Sequence, residues 1–353
     1  MNKKIQVLDA TLRDGGFGLE DAWKNDIAHD VYTEQEREQI LQSLQNSGID
    51  IIEMGAIQKT EDDRIGFCIY PDIESISQVM PGAREGQVFA ALFRGPDTPI
   101  DEIPDWRPGL CRHIRVILRY SELQKSLDFC AALAAKGYQM FVQPMLTMRY
   151  TDEELQMIVD AANRMQAYAV YFVDSYGYMK ATDVLRLYRF FDEHLLSGIR
   201  VGFHAHNNMN LAFANAQAFM DYETERQIIV DSCAIGMGQG AGNLQTEIIT
   251  SYLNRLGIKH FDYKEILDVC DIVERHCRQA VWGYSVTRFL PARHQVAYKY
   301  AVSMRYRYGL SFRDIDRVLT DVPETLRHRY TPDNLQQLLK MHDMPLTPHK
   351  REL

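Results

Sequence analysis

The chain has 353 residues, 46% hydrophobic and 25% charged, with a formal net charge of −9. That length suits one large α/β domain with a smaller appendage, and the acidic balance argues against nucleic acid or a membrane surface as partner. No run approaches the roughly 18 apolar residues that span a bilayer, and Met1-Asn-Lys-Lys leads straight into Ile5-Gln-Val-Leu8 without a signal-peptide core, so a cytoplasmic location is expected.

Eight short apolar runs recur with helical patterns between them: Ile5–Asp9, Ile49–Met54, Gln87–Phe93, His113–Leu118, Gln139–Pro144, Ala169–Asp174, Arg200–His204 and Ile228–Asp231. Their β-branched and aromatic content reads as strands. The first run is followed by Thr11-Leu-Arg-Asp-Gly-Gly16, expected as a tight turn beside a ligand. Thr33, with Glu36 three residues later, signals a capped helix that Gly48 closes. Thr151-Asp-Glu-Glu starts another helix in the same way, and Thr182 or Asp183 is expected to cap a third that ends by Gly198. Eight βα alternations predict a (β/α)8 barrel over residues 1–258. An open doubly wound sheet alternates similarly, but it would spread the candidate residues after strands 1, 2, 6, 7 and 8, whereas a barrel gathers them on one rim. From 259 to 353 the rhythm changes: Phe261–Val281 reads as a helix, and Tyr298–Arg307 mixes tyrosines with basic residues. This is expected to be a helical extension that covers one side of the barrel, or that joins subunits of a homo-oligomer or a partner enzyme.

The chemistry concentrates in Val201-Gly-Phe-His-Ala-His206. Side chains two apart on a strand share a face, so His204 and His206 can grip one metal ion. Asp14, after the first strand, offers a hard carboxylate, with Arg13 as a fixed cation beside it. After the last strand comes Gly236-Met-Gly-Gln-Gly-Ala-Gly-Asn243. This loop matches a dinucleotide fingerprint only loosely, lies in the wrong βα unit and lacks the acidic partner, so a close-packed loop over the site is expected instead. Asn243 would supply a fourth, oxygen ligand. Such a mixed nitrogen and oxygen set suits a divalent ion such as Mn²⁺, Mg²⁺, Co²⁺ or Zn²⁺ without choosing among them, and Mn²⁺ is the one expected. The six cysteines form no C-x-x-C pair and are expected as free buried thiols; Cys233 alone falls beside the candidate site.

Five segments in this order resemble the DRE-TIM metallolyases, a superfamily that includes 4-hydroxy-2-oxovalerate aldolase, hydroxymethylglutaryl-CoA lyase and isopropylmalate synthase. They are L-D-A-T-L-R-D-G-G at 8–16, I-E-M-G at 52–55, V-D-S-Y-G at 173–177, G-F-H-A-H-N-N at 202–208 and G-M-G-Q-G-A-G-N at 236–243. The 4-hydroxy-2-oxovalerate aldolase-like branch is nearest. The resemblance implies Asp14, His204, His206 and Asn243 as metal ligands and Arg13 as the group that steadies an enolate oxygen. It also implies Glu53 as the acidic member of the signature and Ser175 as a substrate-side hydroxyl.

The activity expected is divalent-metal-dependent carbon–carbon cleavage of a 2-keto-acid-like substrate, or its reverse, through an enolate. Two departures qualify it. Where the aldolases carry a histidine base three residues after the metal aspartate this chain has Phe17, and Gln239 stands near the position of the lyase branch's loop cysteine. Tyr176, Tyr284 and His294 are the alternative bases. The competing expectations are a Claisen-type condensation of an acyl-CoA with a keto acid, and a base-deficient barrel with a binding or assembly role.

Overall fold

The computed structural model describes residues 5–24, 29–60, 62–277 and 282–348. Eight parallel strands close into a barrel: β1 (Ile5–Asp9), β2 (Ile51–Ile57), β3 (Val88–Phe93), β4 (His113–Leu118), β5 (Gln139–Pro144), β6 (Ala169–Asp174), β7 (Arg200–Ala205) and β8 (Ile228–Ser232). Neighbours pair in chain order, and β1 meets both β2 and β8, with Leu8 opposite Ile51 and Val7 opposite Val230. Helices separate the strands and further helices follow β8, so the fold is the (β/α)8 barrel with C-terminal helices that the alternation predicts. A two-residue strand, Ile69–Tyr70, pairs beside the end of β2.

All residues of β1, β2, β6 and β8 are buried, as befits strands covered on both faces. Their side chains alternate between two cores. Val7, Val170, Phe172, Val201 and Phe203 join the main apolar core under the helices, while Leu8, Ile51, Phe141, Tyr171 and Ile229 form a separate cluster in the lumen, the period-two sorting of a pleated strand. At Gly202 an added Cβ would meet the Tyr171 ring at 2.3 Å; the tyrosine fills the lumen that the glycine leaves open.

The helices begin where their caps dictate. Thr33 and Thr151 each close a capping box, with Glu36 and Glu154, and Gly48 ends the first of these helices at φ 85°. In the helix Ala181–His194 it is Asp183 rather than Thr182 that turns back, accepting the Lys180 N–H at 3.0 Å, and the helix stops short of Gly198. Residues Thr11–Gly16, expected as a turn, instead open a helix, α1 (Thr11–Lys24). Its glycines are required for space rather than for unusual backbone angles: a Cβ on Gly16 would lie 2.0 Å from the Phe67 carbonyl oxygen. Asp14 therefore projects from a rigid first turn packed against its neighbours.

After the barrel, Tyr263–Cys277 lies along Glu34–Ser47 and contributes Ile266, Val269 and Val273 to the main core. Of the helix expected over Phe261–Val281, Tyr263–Cys277 is described, and residues 278–281 lie outside the described residues. The helices Val286–His294, Lys299–Tyr306, Phe312–Thr320, Glu324–Arg327 and Pro332–Met341 build a second apolar cluster around Leu290, Tyr300, Met304, Ile315 and Leu338. The basic-aromatic stretch 298–307 is absorbed by this packing: Tyr300 and Met304 are fully buried, and Tyr298 and Lys299 both bond Asp21. Among the described residues no helix is long and apolar enough to cross a membrane.

His113 opens β4 with its ring edge-on to Tyr168, centroids 5.0 Å apart. Burial, reinforced by Arg112 and Arg200, lowers its pKa from 6.5 to about 4. The unfolded chain thus binds the proton first as pH falls, so this group's contribution is intact above pH 6.5 and erodes between 6.5 and 4. Urea midpoints measured across that window should fall less steeply for His113→Phe than for the wild type.

Candidate metal centre and active site

The strand ends deliver the expected residues to one place. His204 Nε2 lies 3.6 Å from Asp14 Oδ2, the His204 and His206 ring centroids are 5.0 Å apart, and ligand atoms of Asp14, His204 and His206 all fall within 4.8 Å of one another. Both imidazoles are held from behind. His204 Nδ1 is 2.9 Å from Asp231 Oδ2, and His206 Nδ1 is 2.9 Å from the Asp174 backbone oxygen. Since a carbonyl can only accept, His206 carries its proton on Nδ1 and turns a bare Nε2 to the site. Burial, with His204 nearby, lowers the His206 pKa to about 4, which keeps that lone pair available.

Asp14 is gripped on both oxygens: Oδ1 accepts from Arg13 Nη1 and Oδ2 from Asn243 Nδ2, each at 2.6 Å. Burial alone would raise its pKa, but Arg13 and His204 hold it well below the usual carboxylate range. Asn243 Nδ2 also reaches the Met237 carbonyl oxygen at 3.0 Å and Cys233 Sγ at 3.3 Å, while its Oδ1 is buried without a partner. The glycine loop makes this approach possible, because a Cβ on Gly238 would lie 2.3 Å from Asn243 Nδ2. Cys233 is a buried free thiol whose pKa burial raises.

Arg13 donates through Nε to Glu53 Oε2 at 2.8 Å, leaving Nη2 buried and unpartnered. Glu53, fully buried, does not line the cavity; the same Oε2 also accepts from Arg115 Nη1 at 2.9 Å. Arg115 Nη2 continues to Asp231 Oδ2 at 2.5 Å, and Asp231 returns to His204. A chain of alternating charges therefore runs Asp14–Arg13–Glu53–Arg115–Asp231–His204 through the barrel, and it holds Asp231 below and Arg115 above their ordinary pKa values against the opposing effect of burial.

Arg115 and Asp231 escaped the sequence reading, although each interrupts an otherwise apolar strand, in H-I-R-V-I-L and I-I-V-D-S. A charged residue in such a run, at an inward position, was the signal available.

Above the cluster lies a cavity of about 1090 Å³. Arg13, Asp14, His204, His206 and Ser175 line it, as does Phe17. Ser175 Oγ accepts the Leu146 N–H at 2.8 Å, which leaves its own hydrogen free to donate. Phe17 is covered by the Arg94 guanidinium, 3.8 Å above the ring centroid. Tyr176 lines the cavity too, whereas Tyr284 and His294 do not. The C-terminal helices roof it with Pro291, Val296, Tyr298 and His328.

Replacing Arg115 by methionine would strip Glu53 and Asp231 of a buried partner and leave only Arg13 and His204 to offset them, a loss of about 3–5 kcal/mol. Equilibrium unfolding in urea measures it, and Arg115→Met paired with Glu53→Gln and Asp231→Asn should recover much of the loss.

The HMGL-like family model matches residues 112–273. The 4-hydroxy-2-oxovalerate aldolase of Pelotomaculum thermopropionicum is 28% identical over 320 residues, covering 88% of this chain and 89% of that protein. The namesake enzyme of Geobacillus genomosp. 3 is 26% identical over 272 residues, 76% of each chain. Among solved structures, the N-terminal domain of a candidate aldolase from Bacteroides vulgatus superposes with a TM-score of 0.73 at 21% identity, covering 88% of this chain and 99% of that one. Just under half of the chain thus matches the HMGL-like family model, and most of its length is similar to 4-hydroxy-2-oxovalerate aldolases.

Proposed function

We propose that the protein is a divalent-metal-dependent carbon–carbon lyase that cleaves, or in reverse forms, a 4-hydroxy-2-oxo acid by way of a keto-acid enolate. The observation that carries this reading is the cluster of Asp14, His204 and His206 facing the cavity, with the unpartnered Arg13 Nη2 beside it. The donor chemistry fits a cation. Two imidazoles present nitrogen lone pairs and one carboxylate is held ionised. The orphaned Asn243 Oδ1 fits as well: an amide's nitrogen and oxygen are assigned from their neighbours, and a cation beside Asp14 would favour the oxygen there. Asp14, His204, His206 and Asn243 would hold the ion, Mn²⁺ foremost. When bound, the ion supplies a Lewis acid for the 2-keto group.

The chain's own groups supply the rest. Glu53 and Asp14 fix two of the three Arg13 nitrogens, so Nη2 is preorganised to donate to the oxygen on which enolate charge collects. Glu53 has no face on the cavity, and its role is to position Arg13 rather than to touch substrate. The Ser175 hydroxyl can donate to the substrate carboxylate. Phe17 provides an apolar wall and no proton acceptor, so the base for the substrate hydroxyl comes from elsewhere in the cavity. The roofing by the C-terminal helices makes a homo-oligomer or partner-enzyme contact a secondary role for that extension.

Incubation with 4-hydroxy-2-oxo acids of increasing chain length should release pyruvate, read by coupled NADH oxidation with lactate dehydrogenase. EDTA should abolish release and Mn²⁺ restore it; turnover unchanged by EDTA would refute the reading. Arg13→Ala should lower kcat by about 10²–10³-fold, while Asp14→Asn and His204→Ala should no longer retain Mn²⁺ in equilibrium dialysis.

A further inference from the structure

Cleaving a 4-hydroxy-2-oxo acid requires a group that takes the proton of the 4-hydroxyl, and Phe17 cannot. Two of the three alternatives offered by the sequence point elsewhere. Tyr284 is 54% exposed and outside the cavity, and His294 Nε2 is engaged by Asp316 Oδ1 at 2.7 Å. Tyr176 does line the cavity, and it is not alone. Its hydroxyl is 2.7 Å from His328 Nδ1, the two rings stack with centroids 5.8 Å apart and 16° between planes, and His328 Nε2 is 3.2 Å from Glu324 Oε1. His328 and Glu324 reach the cavity from the C-terminal extension.

Resting on the retro-aldol reading above, we propose that Tyr176 takes the substrate's hydroxyl proton while passing its own to His328, whose imidazole Glu324 orients. With the Nε2 hydrogen directed at the Glu324 carboxylate, Nδ1 presents a lone pair to the tyrosine O–H. The step balances. The 4-hydroxyl O–H bond breaks and its electron pair forms the aldehyde C=O; the C3–C4 bond breaks and its pair becomes the enolate beside Arg13. The proton enters on Tyr176 Oη as the tyrosine proton moves to His328 Nδ1. The imidazolium then loses one proton to solvent at its exposed Glu324 end, and C3 of the enolate takes one up, so no net proton is consumed.

The surroundings favour this relay. Burial raises the Tyr176 pKa, so the hydroxyl acts as a conduit rather than as a resting phenolate. Burial and then Arg149 lower the His328 pKa below 6.5, with Arg327 adding to that effect and Glu324 opposing it, so the imidazole is a neutral acceptor at pH 7. Tyr298, another tyrosine of the cavity, donates instead to the Asp21 carboxylate at 2.5 Å, which Lys299 already pairs. An ion-paired carboxylate is the weaker acceptor.

Oxaloacetate separates the relay from the rest of the site, because its decarboxylation yields the same enolate without any hydroxyl proton to remove. In Mn²⁺-loaded enzyme, Tyr176→Phe should cut aldol cleavage by about 10²-fold or more while decarboxylation stays within about threefold. His328→Gln should do likewise, and its residual cleavage should lack the wild type's loss of kcat/KM below pH 6.5, which reports His328 protonation. Equal loss of both reactions, or cleavage untouched by either substitution, overturns the relay while leaving the lyase assignment standing. A wild type inactive in both reactions overturns the lyase assignment, and the relay with it.

Discussion

Six ionisable side chains buried inside a barrel would ordinarily be ruinous, and here they form the chain of alternating charge from Asp14 to His204 on which the site is built. Each ion is expensive to desolvate and is tolerated only because the next one compensates it. Arg115 is the centre of that arrangement: fully buried, it joins Glu53 to Asp231 and stacks on Tyr171 at 4.7 Å. The reward is directional. Asp231 sets the pose of His204, Glu53 sets that of Arg13, and neither acidic group reaches the cavity itself. The groups facing the cavity are thus fixed by partners whose other contacts lie in the lumen, the support that metal ligands and oxyanion donors would need.

Much of this was legible before any coordinates. The eight strands follow from short β-branched runs, four of them with the same limits as the apolar stretches, Ile5–Asp9, His113–Leu118, Gln139–Pro144 and Ala169–Asp174. The convergence of Asp14 with His204 and His206 follows from barrel closure, which sets β1 beside β8 and β8 beside β7. Thr33 and Thr151 announced their helices because a capping box is a local interaction that needs nothing from the rest of the fold.

What stayed hidden depended on distant contacts. Thr11–Gly16 looked like a turn because its paired glycines are poor helix formers; the Phe67 backbone, more than fifty residues on, is what demands Gly16, and no local pattern reveals it. Asp231 and Arg115 each break an apolar strand, but that they pair across the lumen is visible in neither strand alone. His328 belongs to a helical region whose sequence carries no family signature, and only the folding of that region over the rim brings it against Tyr176. The composition of 298–307 did not tell which tyrosines are buried: Tyr300 joins the apolar cluster of the C-terminal helices, whereas Tyr306 stays exposed.

The strand order carries a mechanical corollary. The carboxylate that follows β1 and the imidazoles on and just past β7 stand on either side of β8, the last strand in the chain and the one that completes the circle. Any cation they share therefore acts as a clasp across the seam between the start and the finish of the barrel. With such an ion bound, its affinity and barrel closure would be one linked equilibrium, so stripping it would loosen the ring first where its two ends meet.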